Sequence, residues 1–587
     1  MSSAPRAIAP TSDAPLLVGL GGLIGGCTVV WLAASVGGLL ERGAWPRVGM
    51  SDAARAIPQL VRHPGDIGAA FRPALRAGLP GPMLFYGVLI TVGFLCFGAL
   101  VAVVQWRSRT RSSPGWATRT QIQRHLSARA VQGKASLIRP SITEQRPDPC
   151  TVGIHLGRDQ RTRIEVYGSL EDSYVIVGPP RSGKGIHLVI PALLDAPGAA
   201  VVPSTKPDTL AATASSRALS GPVHVFDPQG LAQWPTRLRW APERGCTDPL
   251  TAIMRARALT AGARTNVGLE NGDFWTGMTQ AVVRCYLHAA ALDARPIRHV
   301  LRWAANPADP EPIRILRTSK TAAEGWAEEL DEQAAADQRQ RGSVWAGVRR
   351  AFDSLADPRV LDACSPGPEE AFDAGTFLRE RGTLYLLGSS GAQLSIAPLV
   401  TALIEEVVEA GRRLAAHAPG GRLDPPLMLL LDEVANIAPL PSLPSLLADG
   451  GGVGIPTVAV LQSLAQARGR WGEAGADAIW DTATSKIVLG GLAQARDLAD
   501  IAGLAGEHDE QTYSRSSGRG GASSTTATRR APVLAADRLR NLDFGTAVLL
   551  QRALPPVQLQ MRRTDGAKSK GFRRLESLRR IPGRPRR

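Results

Sequence analysis

The chain has 587 residues, and 44% of them are hydrophobic, a proportion that excludes a globally disordered protein. Lysine and arginine number 68 against 52 acidic residues, so the net charge of +16 favours an anionic partner, either nucleic acid or a membrane surface. The 6 cysteines are scattered without a C-x-x-C pair. They imply neither a disulfide framework nor a zinc site. Most of the chain is therefore expected to lie in the reducing environment of the cytosol.

The N-terminal part, residues 1–106, is interpreted as a membrane anchor with two transmembrane helices. Residues 16–40 and 82–105 carry no charge, and each stretch is long enough to cross about 30 Å of hydrocarbon. A cleaved signal at the first stretch remains an alternative. Residues 107–134 hold seven basic and no acidic residues, which predicts that this side faces the cytoplasm. The loop 41–81 between the stretches has no predicted role.

The next distinctive stretch is a glycine-rich loop that follows the short apolar run Val175 to Val177. Its residues are Gly178, Pro179, Pro180, Arg181, Ser182, Gly183, Lys184 and Gly185, and a helix-compatible segment follows. The spacing is that of a nucleotide-binding P-loop, in which backbone N–H groups surround phosphate oxygens and the lysine reaches the β- and γ-phosphates. Gly185 stands where a serine or threonine usually binds magnesium, so a water molecule is expected to replace that hydroxyl.

The spacing of apolar runs predicts the organisation of the rest of the chain. Residues 107–150 are predicted to be a basic linker. Strand–helix–strand spacing predicts a parallel α/β nucleotide-binding domain over residues 151–250 and 376–561. Residues 251–375 have helical periodicity throughout, which predicts an all-α insertion domain between these two parts.

Two polar sites follow buried strands in the second half of that domain. The run Leu427 to Leu431 ends in Asp432-Glu433, the Walker B arrangement, in which the aspartate holds magnesium and the glutamate orients or deprotonates the attacking water. The run Thr457 to Leu461 ends in Gln462, a position where parallel sheets bind ligands. Gln462 is therefore a candidate sensor of the γ-phosphate, the alternative being a simple strand-end cap.

The C-terminal part is predicted to be mostly polar. Residues 514–530 are rich in Ser, Gly, Thr and Arg, which predicts a flexible loop. Two short strands are predicted at 546–550 and 557–561. Residues 562–587 contain eleven Lys or Arg against two acids, so a disordered, anion-seeking tail is expected.

Taken in order, these motifs resemble the TraG/TraD-type coupling proteins of conjugation and type IV secretion. The resemblance lies in the membrane anchor followed by GPPRSGKGIHLVIP, a helical insertion, LLLDEVANI and GIPTVAVLQSLAQAR, and it covers roughly residues 174–506. It implies a RecA-like P-loop domain with an all-α insertion, anchored in the inner (cytoplasmic) membrane with its ATPase domain in the cytoplasm. It also implies a homohexameric ring that uses ATP and Mg²⁺ and binds DNA without sequence preference.

The family's partners and site residues follow from the same resemblance. The partners would be the relaxase of a relaxosome and the proteins of a type IV secretion channel. The roles carried over are phosphate ligand for Lys184, magnesium and water ligands for Asp432 and Glu433, and sensor for Gln462. Family members often have an arginine before the last of these motifs, proposed to act across a subunit interface, but residues 449–453 read DGGGV. The nearest candidates for such a cation are Arg468 and Arg470.

Two other classes of function remain open on the sequence. One is a different membrane-tethered motor, such as an FtsK-like translocase or a type VII secretion motor, although neither is expected to carry the helical insertion. The other is a largely non-catalytic ATP-binding substrate receptor, which Gly185 and the missing arginine favour and the Asp432-Glu433 pair opposes. The sequence leaves open whether the cargo is single-stranded DNA, double-stranded DNA or protein.

Overall fold

The computed structural model describes residues 14–110, 114–263, 272–367, 369–388, 393–518 and 521–563. The chain divides into two compact units, residues 1–112 and residues 113–587, and each unit has its own hydrophobic core. Of the C-terminal tail predicted at 562–587, all but the first two residues lie outside the described residues.

The first unit consists of two long apolar helices and the shorter helices between them. Two helices of this unit are long and apolar enough, by length and composition, to cross a membrane, which agrees with the two predicted spans. They are the first and last of α1 (Ala14–Arg42), α2 (Met50–Arg62), α3 (Ile67–Ala70) and α4 (Pro82–Thr110).

The segment between the two long helices is folded onto them. Ala53, Ala56 and Leu60 form the buried face of α2, at the i, i+3, i+7 spacing of an amphipathic helix. The indole N–H of Trp31 on α1 donates a hydrogen bond to the Val48 carbonyl at 2.8 Å. The loop 41–81, for which no role is predicted, is therefore ordered and packs in one hydrophobic core with the two long helices.

The second unit is organised around a mixed sheet of 11 strands, in the order β2-β1-β13-β12-β9-β3-β8-β7-β4-β6-β5, and a separate pair, β10-β11. The strands are β1 (Gly153–Asp159), β2 (Glu165–Ser169), β3 (Tyr174–Val177), β4 (Ala200–Ser204), β5 (Val223–Phe226), β6 (Thr383–Leu387), β7 (Met428–Leu431), β8 (Thr457–Leu461), β9 (Ser485–Leu489), β10 (Glu507–Gly518), β11 (Gly521–Pro532), β12 (Thr546–Gln551) and β13 (Val557–Met561).

The seven strands from β9 to β5 in this order are parallel, and the other four pair antiparallel. The parallel strands are buried on both faces, as expected where helices cover both sides of a sheet. On β3, Val175 and Val177 belong to one hydrophobic core, whereas Tyr174 and Ile176 belong to the other. The carboxyl ends of β3, β8 and β7 therefore meet at one edge of the sheet.

The helices of the second unit cover the sheet and fill the region between β5 and β6. They are α5 (Arg119–His125), α6 (Ala128–Gln132), α7 (Ala135–Ile138), α8 (Ile190–Asp195), α9 (Asp208–Arg217), α10 (Pro249–Ala263), α11 (Gly272–Leu292), α12 (Ile297–Ala305), α13 (Glu311–Thr318), α14 (Trp326–Ala335), α15 (Gln338–Phe352), α16 (Pro358–Ala363), α17 (Ala374–Arg379), α18 (Gln393–Ala416), α19 (Val434–Ile437), α20 (Leu443–Asp449), α21 (Leu464–Thr482), α22 (Ala495–Leu504) and α23 (Ala536–Arg540).

The helices α10 to α17 pack around buried aromatic side chains. Tyr286 of α11, Trp303 of α12 and Trp345 of α15 are almost completely buried, and the Tyr286 hydroxyl donates a hydrogen bond to the Trp303 carbonyl at 3.2 Å. The described residues between β5 and β6 form no strand of the sheet. The apolar residues that recur at helical spacing in this region thus lie on the buried faces of helices.

The prediction of a linker over residues 107–150 is wrong for residues 119–138. The helices α5 to α7 lie there, and they bury Ile122, Leu126, Val131 and Ile138 in the core that they share with β1 and β2. Short helices of this kind depend on capping and tertiary packing. Their exposed basic residues dominate the composition, so the few buried apolar residues do not suggest helices.

The prediction of a flexible loop over residues 514–530 is also wrong. The strands β10 and β11 pair antiparallel in one continuous register, for example Tyr513 opposite Thr526. The threonines of β11 suit an extended strand. The segment lacks core-forming residues because it is a hairpin whose described side chains at both ends are mostly exposed.

Candidate functional site

The loop after β3 turns sharply at the carboxyl edge of the sheet. Gly183 has a φ of +92°, a conformation that glycine adopts without strain. A Cβ on Gly178 would lie 2.8 Å from Ser182 Oγ, and a Cβ on Gly183 would lie 2.7 Å from His187 Cδ2. Local packing therefore requires both glycines, and the strand–loop–helix geometry is that of a phosphate cradle.

The Lys184 side chain is buried within this loop. Its ammonium group donates hydrogen bonds to the carbonyl oxygens of Gly178 and Pro179. Burial lowers the pKa of Lys184, whereas the nearby Asp432 and Glu433 carboxylates raise it. The loop therefore holds a cation next to the acidic pair that follows β7.

The remaining loop residues differ in their exposure. Pro180 and Arg181 form its exposed apex, and Arg181 has a φ of 63°. At Gly185 a Cβ would meet no atom within 4 Å, so the helix begins with open space at the position where a hydroxyl would stand. The helix itself starts with a π-helical turn, Gly185–Val189, and continues as α8.

The acidic pair lies at the tip of β7. Burial, with a further contribution from Glu433, raises the pKa of Asp432 to about 6, although Lys184 acts in the opposite direction. Among the described residues, Asp432 Oδ1 is a buried oxygen without a hydrogen-bond partner. Glu433 has φ 49° and ψ 39°, a left-handed conformation that is strained for glutamate and often found at functional sites. A buried carboxylate oxygen in such a position fits the hard-oxygen ligands that magnesium prefers.

Gln462 lies between the loop and the acidic pair. Strand β8, which it follows, pairs with β3 on one side and β7 on the other. The Gly178 N–H donates to the Leu461 carbonyl at 3.1 Å, and the Gln462 N–H donates to Gln466 Oε1 at 3.1 Å. The structure therefore brings the P-loop, the acidic pair and Gln462 together at one edge.

The two arginines considered as inter-subunit cations are engaged within the chain. Arg468 forms an ion pair with the buried Asp497 at 2.8 Å. Arg470 donates to the carbonyl oxygens of Ala261 and Gly262 at 3.1 and 2.9 Å. These contacts give both arginines a structural role and do not favour their action on a neighbouring subunit.

Sequence reasoning missed an aromatic residue beside the P-loop. A Cβ on Gly183 would lie 3.0 Å from Cε2 of Phe544, whose ring also packs edge-on against the buried ring of His187. A single phenylalanine in the short segment before β12 has no sequence signature. Only the antiparallel return of β12 beside β9 brings it to this edge.

Replacement of Asp432 by asparagine should stabilise the nucleotide-free protein near pH 8. The pKa of this carboxyl group rises from about 3.9 in the unfolded chain to about 6 in the folded protein. Its contribution to folding stability is therefore fully present below about pH 3.9, where the group is protonated in both states. That contribution is lost as the pH rises through the folded pKa, at a cost of up to roughly 3 kcal/mol. Thermal unfolding of Asp432→Asn and wild type should therefore differ at pH 8 and converge towards pH 4. A lower unfolding temperature for the variant at pH 8 would contradict a destabilising effect of the buried Asp432 carboxylate.

The fold and the arrangement of these residues define a class. A buried parallel strand leads into a P-loop, and one further strand separates it from the strand that ends in the acidic pair. The chain is a protein of the RecA-like P-loop fold, with helices inserted between β5 and β6.

Two family models match separate parts of the chain. The family model described as "Type IV secretory system Conjugative DNA transfer" matches residues 119–240. The model described as "TraM recognition site of TraD and TraG" matches residues 426–544. The second match spans the acidic pair, Gln462 and the β10-β11 hairpin, so both halves of the nucleotide-binding fold are recognised.

Curated relatives agree with these matches. Protein VirD4 of Rhizobium rhizogenes is 23% identical over 391 residues, which cover 66% of this chain and 57% of that protein. Protein VirD4 of Agrobacterium fabrum strain C58 is 22% identical over the same length, covering 66% of this chain and 58% of that protein. The chain thus spans less than two thirds of the length of these relatives.

Solved structures share the fold. The bacterial conjugative coupling protein TrwBdeltaN70, in an unbound monoclinic form, superimposes with a TM-score of 0.54 at 16% identity, covering 76% of this chain and 94% of that one. The plasmid coupling protein TrwB in complex with ADP and Mg²⁺ gives a TM-score of 0.51 at 17% identity, covering 69% and 89%. These structures share the fold of the second unit, while the two family models and the VirD4 relatives show that the chain is similar to TraG/TraD-type coupling proteins.

Proposed function

We propose that the protein is a membrane-anchored coupling ATPase, which recruits DNA with its attached relaxase and drives it into a type IV secretion channel. The observation that supports this most is the joint position of the buried Lys184 ammonium, Gln462 and the buried Asp432 oxygen at one sheet edge. The relatives named VirD4 and the matched TraM recognition model support secretion-channel and relaxosome partners.

The residues at this edge have complementary roles in hydrolysis. The backbone N–H groups of residues 178–185 hold the phosphates of ATP, and Lys184 neutralises charge that develops on them. Asp432 holds Mg²⁺ directly or through water, and Glu433 accepts a proton from the attacking water. The bound Mg²⁺ supplies charge neutralisation for the transferred phosphoryl group. Gln462, between them, contacts the γ-phosphate and reports its presence to α21, which begins two residues later.

The assembly and location are part of the same proposal. The two apolar helices of the first unit anchor the chain in the inner membrane, with the ATPase unit in the cytoplasm, where ATP is found. Six copies form a ring, and loops at its centre contact DNA phosphates without sequence preference. The matches to type IV secretion family models and to VirD4 proteins favour this motor over FtsK-like and type VII alternatives.

One experiment tests the proposal directly. The full chain is purified in detergent, and ATP turnover is measured alone, with single-stranded DNA and with duplex DNA. We expect Mg²⁺-dependent turnover that DNA increases. ATP binding without measurable turnover in any of these mixtures would instead support the non-catalytic receptor, which the intrachain contacts of Arg468 and Arg470 also favour.

Removal of residues 564–587 should weaken DNA binding and flatten its dependence on salt. The cut leaves Arg562, whose ion pair with Asp195 belongs to the fold. Each phosphate that the tail neutralises contributes a slope of about −0.9 on duplex and −0.7 on single strands to the plot of log affinity against log salt. The control is a tail of the same length with its Lys and Arg changed to Gln, which should behave like the deletion. An unchanged slope in both variants would show that DNA does not contact the tail.

A further inference from the structure

An exposed aromatic ring stands beside the phosphate cradle. Phe544 is 64% exposed, although most large apolar side chains of this unit are buried. Its ring edge lies at the loop glycine that precedes Lys184, where a Cβ would be 3.0 Å from Cε2 and 3.1 Å from Cζ. An exposed aromatic ring beside a phosphate-binding loop can contact a ligand that the loop holds.

The ring is held in a fixed position. It packs edge-on against His187, with 5.2 Å between ring centroids and an interplanar angle of 65°. His187 is buried, and its Nδ1 is 2.9 Å from the Arg562 carbonyl oxygen. The following Gly545 accepts a hydrogen bond from the Met561 N–H at 2.8 Å. The segment that carries Phe544 is therefore already ordered, and a ligand that stacks on the ring would not pay the entropic cost of ordering it.

The order of the strands indicates which end of a nucleotide faces this ring. The acidic pair and Gln462 lie on the β8–β7 side of β3, so the γ-phosphate end belongs there. Strands β9 and β12 lie on the opposite side of β3, and Phe544 is two residues before β12. The pairing of Ala547 with Leu489 brings the start of β12 to the same edge as the P-loop. The nucleoside end of a bound nucleotide then points towards Phe544.

We propose that Phe544 is the platform on which the base of the bound nucleotide stacks, an inference that rests on nucleotide binding at the P-loop as proposed above. The face of the ring provides contact area and polarisable electrons for a base, but it has no hydrogen-bonding groups with which to recognise a particular base. Such stacking accepts any base with a π-face and contributes about 1–3 kcal/mol per base. The site therefore distinguishes ATP from GTP only weakly.

The test separates base contacts from phosphate contacts. Binding of ATP, GTP and inorganic triphosphate, each with Mg²⁺, is measured on the full chain in detergent for wild type, Phe544→Ala and Phe544→Tyr. Phe544→Ala should weaken ATP and GTP binding by roughly 5- to 140-fold and leave triphosphate binding unchanged. Phe544→Tyr, which keeps the aromatic face, should bind all three like wild type. Phe274→Ala is the matched control, because Phe274 is 58% exposed on α11, a helix that contributes no residue to the site.

Three results would overturn the platform. An equal loss of triphosphate and ATP binding in Phe544→Ala would show that the residue only supports the loop. Unchanged ATP affinity would exclude base contact, and a change in oligomeric mass in that case would assign the ring to a subunit interface. Wild type that binds neither ATP nor triphosphate would overturn the proposed function as well. By contrast, Phe544-dependent binding without turnover would support the platform and overturn only the ATPase.

Discussion

Lys184→Ala should abolish ATP turnover while the protein stays folded and in the membrane. The ammonium group is the buried cation of the P-loop, held by the carbonyl oxygens of Gly178 and Pro179. Charge that builds on the phosphates in the transition state would then lack its fixed counter-charge. Loss of a single preorganised donor commonly costs about 10²–10³ in rate, so we expect at least a 100-fold decrease. The measurement is phosphate release at saturating ATP and Mg²⁺.

The same substitution makes a separate prediction for stability. Burial lowers the pKa of Lys184, so the fold carries part of the cost of a desolvated charge. Alanine removes that cost, and the unfolding temperature without nucleotide should not fall. Lys320→Ala, at an exposed lysine of the helical region, is the control and should leave turnover unchanged. Turnover at the wild-type rate in Lys184→Ala would remove the P-loop from the mechanism.

Two kinds of site feature could be predicted from the sequence. They are features that depend on residues close together in the chain, and features that depend on the direction of parallel strands. The close contacts at Gly178 and Gly183 demand glycine within a few residues of the lysine. The tips of β7 and β8 could be assigned to one edge with the P-loop, because buried apolar runs of that spacing form parallel strands. The structure agrees on this juxtaposition, and the chemical role of each residue remains a prediction.

Other features depend on contacts that are distant in the chain. The helices α5 to α7 are stable because Ile122 and Leu126 pack against the β1-β2 hairpin, for which the basic composition gives no sign. Arg470 binds backbone oxygens of α10, some 208 residues earlier. Phe544 reaches the P-loop only because β12 returns beside β9. In each case the residue contacts a partner that is distant in the chain, so a local stretch of sequence does not reveal the contact.

The arginine question shows how such contacts change a functional expectation. Arg468 and Arg470 follow the Gln462 strand, a position from which a cation could reach an adjacent subunit. The ion pair of Arg468 with a buried aspartate would leave that carboxylate unpaired if the arginine swung outward, and such a loss is costly. If copies of this chain form the proposed ring, fast turnover therefore requires another cation at the subunit interface, and turnover without one should be slow.

Glu433→Gln should keep ATP binding and lose hydrolysis, which traps the protein in its nucleotide-bound state. Glutamine has the shape of glutamate but cannot accept the proton of the attacking water, and general-base catalysis is worth about 10²–10⁴ in rate. The Glu433 carboxylate is one of the causes that raise the pKa of Asp432 to about 6. Its neutralisation should lower that pKa and leave Asp432 fully ionised at pH 7, so Mg²⁺-dependent binding should persist or tighten.

Two measurements distinguish this outcome from a damaged site. Equilibrium binding of ATP with Mg²⁺ should be at least as tight as in wild type, and bound nucleotide should raise the unfolding temperature by mass action. Phosphate release should fall by at least about 100-fold. Glu328→Gln is the control, because Glu328 is an exposed carboxylate on α14, a helix that contributes no residue to the site. Loss of ATP binding in Glu433→Gln would make the glutamate a ligand rather than a base. Equal, low phosphate release in wild type and variant would favour a receptor that binds ATP without hydrolysing it, since Glu433 would then have no water to activate.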